Sequence, residues 1–158
     1  IKSKRIDIML CRYLWDIIDH IGKNINDDKK YFAEEGKLSE NLKFFERNSK
    51  NLINSQNILI GKVEIQPNVV MDATAGPIVI DDNVTIKSNT HLEGPLYVGC
   101  GSTISPLTYV KNSVIGPLCK IGGELNSVVV EGYTNKVHYG FLGLKLLSRN
   151  CFPLCFFK

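Results

Sequence analysis

No apolar run in this 158-residue sequence approaches the roughly 20 residues of a membrane-spanning helix. Its opening stretch, IKSKRIDIMLCRYLW, lacks the apolar core and small-residue cleavage site of a signal peptide. No membrane partner is therefore expected, and the expected location is cytoplasmic. An excess of one charge is missing too. The 19 Lys and Arg against 16 Asp and Glu leave a formal net charge of +3 with no basic stripe, so nucleic acid is not an expected partner. Cys11, Cys100, Cys119, Cys151 and Cys155 are odd in number and widely spaced. With no C-x-x-C pair among them, they suggest neither a disulfide framework nor a zinc site and read as buried or incidental thiols. What is present, 44% hydrophobic and 22% charged residues, is the composition of a folded globular chain.

The first segment has helical periodicity. Leu10, Leu14, Ile17, Ile18, Ile21 and Ile25 recur at three- and four-residue steps, with Asp16, Asp19, His20 and Lys23 mostly between them. Gly22 and Asn24 read as its frayed end, and a second short helix is expected after the caps at Asn26, Asp27 and Asp28, stopped by Gly36. Tyr13 and Trp15 read as packing groups and His20 as a solvated helix residue. Residues 37–57 are polar and asparagine-rich, a connector with one helical turn around Leu42 to Phe45. The helices before this connector and the region after it are expected to pack as separate units.

From residue 58 onward the chain repeats every six residues. Ile80, Ile86, Leu92, Val98, Ile104 and Val110 are successive sixth residues, and two positions before them stand Ile78, Val84, Thr90, Leu96, Ser102 and Thr108. An apolar residue paired with an apolar or small one two positions earlier is what the inward side of a short strand requires. Asn83, Asn89 and Gly101 fall three residues after repeat members, and these residue types tolerate the positive φ of a tight corner. The pattern includes Val63-Glu64-Ile65 and Val69-Val70-Met71 upstream and resumes, shifted by one, at Ile115 and Ile121. Three hexads make one triangular turn of roughly 18 residues that advances by ~4.8 Å, giving about four turns. The expected fold is mainly β, a left-handed parallel β-helix over residues 58–143, preceded by short α-helices. Strands of a sandwich would alternate over longer runs and need hairpin turns.

Such a prism has flat polar faces and no cleft within one chain, so a small-molecule site is expected between copies, in a homotrimer, or beside an inserted loop. The stretch IGPLCKIGGELNSVVVEGYTNKVHYGFLG departs from the six-residue rule, and broken local rules often mark functional sites. His138 within it is the candidate catalytic residue, since imidazole accepts a proton near neutral pH, and Lys136 or Lys120 would bind a phosphate. A metal centre on a β-helix needs several histidines from neighbouring faces, and His20, His91 and His138 do not supply them; no metal is expected. His91, Glu93 and Asp81 read as surface groups.

The stretches GPIVIDDNVTIKSNTHLEGPLYVG and IGPLCKIGGELNSVVVEGYTNKVHYGFLG resemble the hexapeptide-repeat region of bacterial sugar-phosphate nucleotidyltransferase/acetyltransferases. These enzymes are similar to UDP-N-acetylglucosamine pyrophosphorylase/glucosamine-1-phosphate N-acetyltransferase. The elements K-I-G-G-E and N-K-x-H-x-G-F-L-G carry the resemblance, which covers about Leu59 to Gly143. It implies acetyl transfer from acetyl-CoA to an amino-sugar 1-phosphate, with His138 deprotonating the amine and Asn135 and Lys136 near the sugar phosphate. Glu124 and Tyr139 complete the implied substrate-binding set, although the family often has aspartate at the position of Tyr139. Residues 1–36 would be a helical linker from an upstream nucleotidyltransferase domain. The tail, residues 144–158, falls out of register where further coils bordering coenzyme A are implied. The chain is thus expected to be a fragment of such a transferase, inactive or impaired in turnover, with the tail either a frameshift product or a cap formed by Phe152, Leu154, Phe156 and Phe157. The alternative is a non-catalytic trimerising scaffold or regulatory remnant.

Overall fold

The computed structural model describes residues 11–13, 15–34 and 51–148. The expected turn at Leu42 to Phe45, the stop at Gly36 and the aromatic tail lie outside the described residues. Among the described residues two α-helices, α1 (Asp16–Asp19) and α2 (Ile21–Glu34), precede thirteen strands. These are β1 (Leu52–Ile53), β2 (Ile58–Ile60), β3 (Glu64–Ile65), β4 (Val70–Asp72), β5 (Ile78–Ile80), β6 (Thr85–Ile86) and β7 (His91–Val98). They continue with β8 (Thr103–Ile104), β9 (Tyr109–Ile115), β10 (Lys120–Ile121), β11 (Glu124–Val130), β12 (Asn135–Lys136) and β13 (Phe141–Leu147). The strand pairings are parallel and join each coil to the next, a mainly β solenoid of about five turns, consistent with a left-handed β-helix.

The repeat sets the inside of this coil. Ile80, Ile86, Leu92, Val98, Ile104 and Val110 are all fully buried, and so are Ile78, Val84, Thr90, Leu96, Ser102 and Thr108 two positions before them. Asn83 and Asn89 turn their corners at φ 59° and Gly101 at φ 68°. Leu107, Leu118 and Tyr133 also take positive φ, although their side chains are larger than the corner favours.

The inward series then runs through Ile115, Ile121, Leu125, Val130, Lys136, Leu142 and Leu147. Each departure from a six-residue step has a structural cause. The two-residue bend at Gly94 and Pro95 in β7 becomes a single residue, Asn112, in β9, so the step from Val110 to Ile115 is short. Ser127 and Leu144 repeat the one-residue bend in β11 and β13, all three at positive φ. Among the described residues, strand pairing runs from Leu52, ahead of Ile58, past Gly143 to Leu147, paired with Val130. Residues 144–147 are therefore in register, contrary to expectation, because a shortened bend preserves the inward alternation that a fixed six-residue count loses.

Two further expectations change. The helix boundary falls at His20, and α2 runs unbroken through Gly22, Asn24 and the 26–28 cap residues. Gly22 lies against the Pro95 ring, where a β-carbon would come within 3.2 Å, so close packing explains that glycine. Nor do helices and solenoid pack separately. Ile18, Ile21 and Ile25 cluster with Val79 and cover Leu59, Tyr97, Val114 and Val129. This outer face of the prism is apolar, not polar, and a helix on it removes that surface from water. Phe32 tilts against Tyr97 at 5.5 Å, and Lys29 Nζ donates to Asn57 Oδ1 at 2.8 Å. Tyr13 and Trp15 stack on each other at 4.6 Å and remain exposed, outside that cluster. No helix among the described residues is long and apolar enough to cross a membrane.

Candidate functional site

One inward column is Ile65, Ile86, Ile104, Ile121 and then Lys136, in register through β3, β6, β8, β10 and β12. A lysine thus occupies the place of an isoleucine, with 3% of its surface exposed. An ammonium in such a place is costly unless hydrogen-bonded. Lys136 Nζ donates to the carbonyls of Gly122 at 2.6 Å, His138 at 3.0 Å and Gly140 at 3.0 Å.

The corner beyond this column explains why the ammonium fits. Four residues lead from Ile65 to Val70, from Ile86 to His91 and from Ile104 to Tyr109, but only Gly122 and Gly123 lead from Ile121 to Glu124. In the longer corners the fourth residue, Val69, Thr90 or Thr108, is buried inside. Thr90 Oγ1 there donates to Lys87 O at 2.7 Å and Ser105 O at 3.1 Å. The Gly122–Gly123 corner has no such residue, and in the next coil that position is Gly140. Lys136 supplies donors to the space from below. Both glycines are required: a β-carbon on Gly122 would lie 2.5 Å from Val137 O, and one on Gly123, at φ +85°, would lie 2.6 Å from Gly140 O.

The loop 137–140 bows outward over this cut corner. Tyr139 Oη donates to Pro106 O at 3.2 Å, reaching across the shortened coil to the one before it. His138 lies between Lys136 and Tyr139 in the chain; its side chain is exposed and its carbonyl is held from inside. Lys120 and Asn135 are register partners on the outer face just before the corner, and Glu124 leads the next face, opposite Phe141. Lys120 is exposed, whereas Asn135 is partly buried with its Oδ1 sealed from solvent and without a hydrogen-bond partner. The expected site residues therefore gather around one corner, with Lys136 facing the interior rather than the surface.

The face that carries Lys120 has a shallow groove of ≈ 470 Å³, lined among others by Lys87, Thr103, Ser105, Lys120 and Val137. Around the corner, Lys111 Nζ lies 2.6 Å from Glu93 Oε1, and Tyr109 Oη donates to Glu93 Oε2 at 2.5 Å. His91 packs against the Tyr109 ring at 5.3 Å. Glu93, read from sequence as a surface group, is thus held in a hydrogen-bonded network across neighbouring coils. The Lys111 ammonium and the Tyr109 hydroxyl hold the Glu93 carboxyl below its usual range, and the hydrogen bond to Glu93 pushes the Tyr109 phenol up to about 12. Among the described residues no group of three or more His, Cys, Asp or Glu could hold a metal ion.

Sequence reading missed the inward place of Lys136. The available signal was the series Leu125, Val130, Lys136, Leu142, Leu147, which emerges once the glycine pair is counted as a shortened corner. No protein-family model and no curated protein matches this chain.

Proposed function

We propose that this chain carries the acetyl-transfer site of a sugar-nucleotide-pathway transferase, with acetyl-CoA as donor and the amine of an amino-sugar 1-phosphate as acceptor. The observation behind this is an exposed imidazole, His138, on a loop whose backbone is tied from within by Lys136 and from outside by Tyr139. A base on a fixed loop can meet a substrate in a repeatable geometry. Neutral imidazole takes the proton that the amine nitrogen gives up as it adds to the thioester carbonyl; the C–N bond forms, the C–S bond breaks, and the proton passes to the departing thiolate. Lys120, exposed on the adjoining face, is the phosphate ligand in this scheme, with Asn135 and Glu124 flanking the sugar.

A face of a single prism leaves one side of such a site open. Copies of the chain are proposed to wall it as a homotrimer, using the faces that α1 and α2 leave uncovered. The alternative is a non-catalytic trimerising scaffold, favoured by the burial of Lys136, which withdraws one expected phosphate ligand.

The test is release of coenzyme A thiol from acetyl-CoA on addition of glucosamine 1-phosphate. Sugar-dependent release that falls at least ~100-fold in His138→Ala supports transfer. Release that is unchanged in the variant, or no acetyl-CoA binding by the wild-type chain, supports the scaffold.

A further inference from the structure

We infer that Lys136 is a positioning residue, an internal ammonium that fills the space left by the cut corner and fixes the loop carrying His138, and that it does not touch substrate. The inference builds on the assignment of His138 as base. Its geometry stands independently of that assignment.

Three observations meet at this residue. The column above it, Ile65, Ile86, Ile104 and Ile121, is aliphatic, so a fifth isoleucine would continue the ladder. The corner residues that fill the interior elsewhere, Val69, Thr90 and Thr108, have no counterpart between Ile121 and Glu124 and are replaced by Gly140 in the following coil. The Lys136 ammonium fills this gap, and its three carbonyl partners sit on both sides of it: Gly122 in one coil, His138 and Gly140 in the next. An ammonium has three protons and no acceptor, so it can donate to each of these carbonyls.

An aliphatic side chain at 136 would continue the apolar column but leave the three carbonyls without this donor. Gly140 O keeps the Glu124 N–H at 3.1 Å, whereas Gly122 O and His138 O lose this donor, which is unfavourable for enclosed carbonyls, and the loop relieves that by opening toward water. Its remaining described side-chain tether is the single hydrogen bond from Tyr139 to Pro106, which lies at the surface. The stretch NKVHYG thus pairs an inward lysine with an outward histidine two residues later, the first fixing the backbone that aims the second.

The test compares the wild-type chain with Lys136→Met, which keeps an unbranched side chain and removes the charge, and with Lys120→Met as the surface control. Amide hydrogen exchange needs no ligand. Exchange at the amides of Gly122 and Glu124, which donate to the Lys136 and Gly140 carbonyls at 2.6 Å and 3.1 Å, is expected to rise at least ~10-fold in Lys136→Met, with residues 78–115 unchanged and no rise in Lys120→Met. Unchanged exchange at these two amides would overturn the clamp. In acetyl transfer to glucosamine 1-phosphate, Lys136→Met is expected to lower kcat with KM unaltered, while a raised KM at constant kcat would show that Lys136 binds the sugar phosphate. A wild-type chain without transfer would remove the assignment of His138 as base and leave the exchange result to decide the clamp. Should Lys136→Met fail to fold, nitrogen-detected NMR of wild-type lysine ammonium groups decides. One slowly exchanging ammonium, absent from an otherwise folded Lys136→Gln chain, is expected, and fast exchange at every lysine contradicts the inference.

Discussion

Glu93 shows how a single residue on the outside of the coil gains a defined environment from its neighbours one coil later. Lys111 and Tyr109 both reach it, so its carboxylate is favoured in the folded chain while the Tyr109 phenol is held protonated. The two shifts bound a pH window. Glu93 has a depressed value when folded, so its contribution is present above the ordinary 4.5 and is lost as pH falls through the lower folded value. Tyr109 has a raised value, so its contribution is complete below the ordinary 10.0 and is lost as pH climbs toward about 12. Tyr97, pushed up to about 12 chiefly by burial against the helices, adds a second alkaline component. The urea midpoint is expected to be flat between these limits and to fall on either side. Tyr109→Phe should reduce the alkaline fall and, by removing one of the two donors to Glu93, weaken the acid one while Lys111 retains part of it; an unchanged alkaline limb would contradict the assignment. At this scale the sequence showed which side chains point inward, from Ile78 to Val110, because a strand's two-residue alternation is strictly local. It did not show the Glu93 network, since that depends on which residues of separate coils share a rung.

Strands and corners divide the information differently. Each strand is legible from two inward residues, but a corner is legible only when it keeps its length or uses Asn or Gly. Asn83, Asn89 and Gly101 were found on that basis, whereas Leu107, Leu118 and Tyr133, which take the same backbone conformation, carry no local signature of it. The one-residue bends at Asn112, Ser127 and Leu144 and the two-residue corner at Gly122 and Gly123 each moved the register, and a fixed period of six read the accumulated shift as a loss of repeat. The glycine pair is the most demanding of these corners. Gly123→Ala would place a methyl group 2.6 Å from Gly140 O at a φ of +85°. A loss of about 2–3 kcal/mol in unfolding free energy is expected, concentrated in the last coil. Urea denaturation should show it; a loss within ~0.5 kcal/mol would mean that the corner relaxes and is not constrained by the loop above it.

Across the whole molecule, the three sides of the prism have different surroundings. One carries the groove with Lys120, one carries the Glu93 network, and the third is apolar and lies under α1 and α2. The sequence held a sign of the third face. Between inward residues stand Leu59, Val79, Tyr97, Val114 and Val129, all apolar at outward positions, where the other faces have Glu64, Thr85, Thr103 and Lys120. An outward apolar row requires a cover, and the amphipathic helix before the repeat provides one through Ile21 and Ile25. The residues of the candidate site were legible as a group because the region visibly departs from the repeat. Their separation into inside and outside was not, because it depends on corner lengths summed along the coil. The central claim is that the last described coil stays in register, with the Lys136 ammonium inside and the His138 imidazole outside. Chemical footprinting of the native chain tests it in one peptide map, with an acylating reagent for amines and diethyl pyrocarbonate for imidazoles. Lys120 and His138 are predicted to react in the folded chain and Lys136 only after unfolding; modification of Lys136 at the rate of Lys120, or a His138 protected until unfolding, would contradict the account.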